Sequence, residues 1–297
     1  MNKSIFIFLA ISSVAILLFF SIYHDSNKIH VLKSNVINKE KEIIVEKIQF
    51  FKRNSTYPNN KVLKINEFYN DLSKRELKIY SQYKEDGIIM RLMELMNKTR
   101  NGFYVEFGSE NGNECNTRNL RENFNWTGLL MDGSHDNLTI NLHKETITHL
   151  NILELFLKYN VTDNIDLLSE DTDYADYWIV EKILTKYRPK IVIHEVNQQL
   201  PEFCVTVPKS DLLIFWEERS TFHGGNVCAF YCLAKRFNYT MVFCNGINCF
   251  WMRNDILFSI LSIEISTIQK VLNPTFLYRF VHLNYVKSNK KWHKVTC

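Results

Sequence analysis

The chain has 297 residues, 46 % of them hydrophobic and 23 % charged, with a formal net charge of +4. That supplies the core of one large domain or two small ones, and a content of only 5 prolines and 9 glycines excludes a low-complexity or disordered chain. Both signs of charge are interspersed, without the basic stripe of a nucleic-acid binder, so no nucleic-acid partner is expected.

The first segment, Ile5–Tyr23, contains no charged residue. At a rise of about 1.5 Å per residue it matches the roughly 30 Å hydrocarbon core of a bilayer. It ends in Ser21-Ile22-Tyr23-His24, a poor cleavage site. Residues 1–23 are therefore expected to be a cytoplasmic end and a transmembrane signal anchor, with a cleaved signal and a secreted chain as the alternative. Lys3 favours a cytoplasmic amino terminus, while Lys28 and Lys33 pull the other way. Sequons of the form N-x-S/T occur at Asn54, Asn97, Asn125, Asn137, Asn160 and Asn238. Together with Cys115, Cys204, Cys228, Cys232, Cys244, Cys249 and Cys297 they favour a type II membrane glycoprotein with its domain in the endoplasmic reticulum or Golgi lumen.

Residues 24–64 read as a stem. Asn38–Arg53 has apolar residues at helical spacing, and the turn formers Asn54 to Asn60 break it. A domain is expected over 65–255, followed by a C-terminal extension, 256–297, that packs on it. Within the domain, helical periodicity marks Asp86–Asn97, Arg118–Phe124, Asn151–Tyr159, Asp176–Tyr187 and Gly225–Arg236. Strands are expected at Gly102–Phe107, Thr127–Met131, Ile165–Leu168, Pro189–Val196, Tyr239–Cys244 and Cys249–Arg253. Strand and helix alternate, and several strands are apolar on both faces. That pattern predicts a mostly parallel α/β sheet with helices on both faces and a ligand beyond the carboxyl ends of the strands.

Acidic residues close several of those strands. Glu106-x-Gly108-x-x-x-Gly112 follows the first; its glycines let backbone approach a ligand, while its spacing is not that of a pyrophosphate binder. Asp132 ends the next strand, where a carboxylate can take two hydrogen bonds from a ribose. Asp171-Thr172-Asp173 is open to three readings: an acceptor-orienting cluster, a divalent-cation D-x-D site, or a helix N-cap. Glu195 and Asn197 close a further strand. His194, His223 and His143 are candidate bases, although a lone histidine is more often structural. Cys228 and Cys232 lack the partners of a zinc signature, so no metal site is assigned to them, and a Cys244–Cys249 disulfide across the turn is possible.

Taken together these stretches resemble the FkbM-like methyltransferase domain, in a membrane-anchored metazoan branch. The matching segments are Ser81–Gly87, Val105–Gly108, Glu114–Glu122, Trp126–Gly133, Ile140–Glu145, Asp166–Ser169, Asp176–Trp178, Tyr187–Pro189 and Glu195-x-Asn197. The resemblance implies a seven-stranded Rossmann-like class I methyltransferase domain that uses S-adenosylmethionine to methylate a hydroxyl, often on a sugar or polyketide. On that resemblance Glu106, Gly108, Gly112 and Asp132 hold the cofactor. Asp171 and Asp173 face the acceptor, and Asp171, Glu195 and His194 are the candidate bases. The chain departs from the family pattern at Ser109-Glu110-Asn111, at Glu170 and at Tyr174-Ala175. Two alternatives therefore stand beside the enzyme: a catalytically inactive luminal binding or trafficking protein, and a D-x-D glycosyltransferase.

Overall fold

The computed structural model describes residues 65–198, 203–212, 220–277 and 291–297. The anchor expected over 1–23 and the stem over 24–64 lie outside the described residues. Among those described, no helix is long and apolar enough to cross a membrane.

Two helices lead in. α1 (Ile65–Ser73) buries Phe68, Tyr69 and Leu72, and α2 (Glu85–Leu95) buries Ile88, Ile89, Leu92 and Met93. Asp71 ties them together, accepting from Arg75 Nε at 3.2 Å and from Arg91 Nε at 2.6 Å. All three side chains are buried, so this pairing is what makes their charge tolerable in the interior.

Strand and helix then alternate: β1 (Phe103–Phe107), α3 (Arg118–Phe124), β2 (Thr127–Asp132), β3 (Leu142–Lys144), α4 (Ile152–Lys158), β4 (Leu167–Glu170), α5 (Asp176–Leu184) and β5 (Ile191–Glu195). After them come β6 (Val205–Thr206), α6 (Val227–Arg236), β7 (Tyr239–Cys244), β8 (Asn248–Arg253), α7 (Asn254–Leu261), α8 (Ile265–Val271), α9 (Pro274–Leu277) and β9 (His293–Lys294). The main sheet has seven strands in the order β3-β2-β1-β4-β5-β8-β7. β3, β2, β1, β4 and β5 are mutually parallel, whereas β8 runs antiparallel to both β5 and β7. The fold is therefore a mostly parallel, Rossmann-like α/β sheet.

The chain moves outward from β1 through β2 to β3, then returns to lay β4 on the other side of β1. Right-handed crossovers consequently set α3 and α5 on opposite faces, and the reversal opens a crevice at the carboxyl ends of β1 and β4. Every residue of β4 and β7 is buried, as a strand covered on both faces requires. Trp251, Tyr104, Phe107, Phe156, Tyr187, Phe230, Phe243 and Phe250 fill the core. β7 and β8 form a hairpin whose turn is closed by a Cys244–Cys249 disulfide. A separate two-stranded ladder, β6 with β9, is fastened by Cys204–Cys228 and Cys232–Cys297, while Cys115 is free and buried. Beyond residue 255, Ile268, Leu272 and Leu277 are buried, and Gln269 Nε2 donates to Thr240 Oγ1 at 3.1 Å.

Two expectations need correction. The strand expected at Ile165–Leu168 runs instead over Leu167–Glu170, because the polar Ser169 and Glu170 have partners that let them stay inside. β3 has only three residues, too few to show the alternation that identifies a strand.

Candidate functional site

The crevice is built from the ends of β1, β2, β4 and β5. Gly108 leaves β1 with φ +69°. A Cβ at this position would lie 1.6 Å from the carbonyl oxygen of Asp171, so only glycine lets the β1 and β4 ends approach this closely. Gly112, at φ +76°, closes the next turn, donating its N–H to the Ser109 carbonyl at 2.8 Å. Glu106 is buried beneath that turn. Its carboxylate accepts from Asn116 N at 2.8 Å, Thr117 N at 3.0 Å and Thr117 Oγ1 at 2.5 Å. Burial raises its pKa, and those bonds work against the rise. Glu106 therefore shapes the loop from below, and its oxygens are engaged by the loop itself.

Asp132 stands at the end of β2. Its Oδ1 accepts from Ser134 N at 2.7 Å, His135 N at 3.0 Å and His135 Nδ1 at 2.9 Å, and its Oδ2 accepts from Glu110 N at 2.9 Å. Burial pushes its pKa up, but the N–H groups of Ser134 and His135 prevail and hold it below the usual value. Oδ2, with one donor, keeps a free lone pair. A Cβ on the adjacent Gly133 would meet nothing within 4 Å, so the chain leaving β2 faces open space there. Both features suit a ribose hydroxyl, and the glycine turn alongside suits the close approach of a nucleoside.

Asp171, Asp173 and Glu195 converge from β4 and β5, with one oxygen of each lying within 4.8 Å of the others. Among the described residues no basic side chain pairs with any of them. Burial and then the neighbouring Glu195 push Asp171 well above the carboxylate range. Burial, with Asp176 next, pushes Glu195 up to about 7. The two carboxyls titrate as a pair, and burial with their mutual repulsion favours protonation of one of them near neutral pH. Asp173 sits at φ +65° with part of its surface exposed; partial desolvation of its carboxyl, with Asp176, Glu110 and Asp132 around it, raises its pKa too. Asp132 and the acid cluster are therefore neighbours.

Asp173 does not cap α5. That helix has no side-chain cap, and it is Asp176 Oδ1 that accepts from Thr172 N at 2.8 Å and Thr172 Oγ1 at 3.0 Å. Glu170 is buried against the same threonine, and burial followed by Asp176 raises its pKa well above normal. His194 is corrected as a base: it is fully buried, stacked on Phe230 at 3.9 Å and edge-on to Trp251 at 4.8 Å. Burial pulls its pKa down to about 3, which marks a neutral packing residue. His143 stacks on Tyr159 at the β3 edge, away from the cluster. Burial lowers the pKa of His223, whose carbonyl oxygen accepts from Asn197 Nδ2 at 2.7 Å.

One part of the site was matched in sequence but given no role. Asp86 Oδ2 accepts from the N–H groups of Ile79, Tyr80 and Ser81, each at 2.8 Å, and from Ser81 Oγ at 2.7 Å. Glu85, fully buried, accepts from Tyr83 N, Asn245 Nδ2 and Asn248 Nδ2, each at 2.8 Å. Asn245 Nδ2 also donates to the Tyr83 carbonyl at 3.0 Å. Residues 78–85 thus form a strap held by the β7–β8 turn. The strap presents a partly exposed Tyr83 whose phenol feels Glu195 and Asp171; partial desolvation and those two carboxylates raise its pKa. The signal available in sequence was Glu85-Asp86, two adjacent acids opening a helix.

No family model matches the chain, and no curated protein matches it. Among solved structures it is similar to the crystal structure of the small RNA methyltransferase HEN1, at 14 % identity and a TM-score of 0.31, over 56 % of this chain and 24 % of that one. It is also similar to a selenomethionine-substituted CurJ carbon methyltransferase, at 11 % identity and a TM-score of 0.30, over 75 % and 68 % of the two chains. The chain thus spans about a quarter of the first of these proteins. Likenesses this distant leave the functional reading to the strand order and the side chains.

Proposed function

We propose that the chain is an S-adenosylmethionine-dependent O-methyltransferase acting on a hydroxyl acceptor, with a glycan hydroxyl as the acceptor class. In this reading it works in the endoplasmic reticulum or Golgi lumen, held there by a single N-terminal helix as a type II protein. The observation that carries the reading is the meeting, at one sheet reversal, of the Gly108 turn, Asp132 and the converging Asp171 and Glu195 carboxyls.

S-adenosylmethionine supplies an electrophilic methyl group. Asp132 is suited to its ribose, and the turn at Gly108 gives the nucleoside close backbone contact. The cofactor is cationic at its sulfonium and its amine, which complements carboxylates that lack a basic partner. With the cofactor bound, Glu195, poised near neutrality, would accept the acceptor's hydroxyl proton, and Asp171 keeps that carboxylate in place. Such a base is worth about 10²–10⁴-fold. The strap around Tyr83 limits water above the pair and orients the acceptor, which supplies the remainder.

Titration calorimetry with S-adenosylmethionine tests this. Wild type should bind without added metal, and Asp132→Ala should bind at least about tenfold more weakly, since a hydrogen bond to a charged group is worth about 1.5–3 kcal/mol. Unchanged affinity in the variant would sink the ribose assignment. A folded wild type that fails to bind leaves the inactive luminal scaffold as the reading.

One observation favours a second enzyme class. Three carboxylate oxygens within 4.8 Å also suit a divalent cation with oxygen ligands, as in a D-x-D glycosyltransferase. Manganese-dependent binding of a nucleotide-sugar, without binding of S-adenosylmethionine, would select it.

A further inference from the structure

Five of the sequons fall among the described residues, and all five asparagines are exposed. Four share one setting. Asn97, Asn125, Asn160 and Asn238 close α2, α3, α4 and α6 in the left-handed conformation, with φ of 54°, 55°, 55° and 64°. Each stands just before a strand of the main sheet: β1, β2, β4 and β7. All four therefore lie on the amino-end rim, across the sheet from Gly108, Asp132, Asp171 and Glu195.

Contacts agree with that placement. Asn125 Nδ2 donates to Asn101 Oδ1 at 2.7 Å, joining the approaches to β2 and β1. Lys98, next to Asn97, reaches Asp166 at the approach to β4, 4.0 Å away. The Asn238 carbonyl accepts from Asn254 N at 3.0 Å, just past the end of the antiparallel β8.

Capping alone accounts for the asparagines, because a left-handed helix end takes glycine first and asparagine next. It does not account for the threonine two residues on, at Thr99, Thr127, Thr162 and Thr240. Thr127 opens β2 and Thr240 is buried in β7, where a β-branched residue suits a strand. Thr99 and Thr162, however, are exposed and outside any strand, and their hydroxyls bond to nothing among the described residues. Neither packing nor strand preference asks for threonine there, whereas a glycan acceptor does.

We propose that Asn97, Asn125, Asn160 and Asn238 carry N-linked glycans that form a collar on the amino-end rim and leave the carboxyl-end crevice clear. The proposal rests on the luminal location given above. In the transfer, Nδ2 of each asparagine bonds to the anomeric carbon of an oligosaccharide delivered by a polyprenyl-diphosphate donor. The bond from that carbon to the diphosphate oxygen breaks, the lipid diphosphate leaves, and Nδ2 gives up one proton. The collar keeps the amino-end rim from contact with other proteins, so a large acceptor or a partner meets the domain at the crevice. Asn137 is the exception in placement, since it follows β2 on the crevice side, and its Oδ1 is taken by Thr139 N and Oγ1.

The test uses the full chain expressed in a secretory-competent animal cell. Protease added to intact vesicles reports the side of the membrane, and enzymatic glycan release in heavy-oxygen water tags each asparagine that carried a glycan. The expected result is a protected or secreted domain tagged at three or all four collar positions. Asn→Gly at each tagged position preserves the left-handed helix end and should remove one glycan's worth of gel retardation from a folded chain. A protected or secreted domain with two or more collar positions untagged overturns the collar and leaves the luminal location standing. An untagged domain digested from outside the vesicles overturns the luminal location, and the collar with it.

Discussion

Glu195→Gln removes one titrating group whose environment is known, so its effect on stability can be worked out in sign and size. Burial and the nearby Asp176 raise this carboxyl from an ordinary 4.5 to about 7. Between those values the folded chain holds a proton that the unfolded chain has released. Stability from this group is therefore fully present below about pH 4.5 and is lost as the pH rises through about 7. One proton is worth about 1.4 kcal/mol per pH unit, so the loss across this window is at most about 3.5 kcal/mol. Asp171 titrates with it, and part of the loss transfers to that partner. Urea denaturation of wild type and variant at several pH values from 4.5 to 8 reads the difference directly. Wild type should lose stability relative to Glu195→Gln as the pH rises, and the variant should be the more stable of the two at pH 8. Parallel stability curves for the two proteins across the whole range would refute the paired titration of Asp171 and Glu195. If methyl transfer is observed, its rate should rise with pH through about 7 as Glu195 becomes free to take a proton.

Further outcomes concern the scaffold of the site. Gly108→Ala forces a Cβ onto the Asp171 carbonyl at a positive φ, and should cost about 3 kcal/mol or more in denaturant melts. A variant within 0.5 kcal/mol of wild type, a figure on the order of ordinary surface substitutions, would show that the β1 and β4 ends are not in contact. Asp86→Ala leaves three backbone N–H groups and the Ser81 hydroxyl without their acceptor and should destabilise by about 3 kcal/mol. Its local signature is faster amide exchange at residues 79–81, and unchanged exchange there would contradict the strap.

Much of this architecture is legible in sequence because the strands that matter are covered on both faces. The runs around Val105, Leu129 and Val192 carry apolar residues on both faces, which marks their positions to within a residue or two. Legibility fails where polar residues go inside with partners. Ser169 reads as a loop residue, yet it is buried and accepts from Asn116 Nδ2 at 3.0 Å, a partner 53 positions away. Glu85 is equally opaque, because two of its three donors, Asn245 and Asn248, come from far along the chain. His194 shows the reverse error. A histidine at a strand end looks available for chemistry, and only the rings of Phe230 and Trp251 around it reveal packing. The carboxylates at 106, 132, 171, 173 and 195 could be placed at strand ends from the pattern alone. That Glu106 braces a loop, while Asp171 and Glu195 titrate as a pair, depends on distances that no spacing rule encodes.

The bonds from Glu85 to Asn245 and Asn248 cross 160 and 163 positions of chain. Contacts that distant close late, because the intervening loop must be ordered before they form. As the chain emerges during synthesis, α2 and the strap are made early, but their buried acid lacks its two side-chain amide donors until the β7–β8 turn arrives. The parallel strands β1 to β5 can begin to assemble while that carboxylate is still in water, whereas the roof of the crevice cannot. The site therefore becomes competent only once nearly the entire domain has been synthesised, and a chain interrupted before residue 245 would carry a sheet with its crevice open.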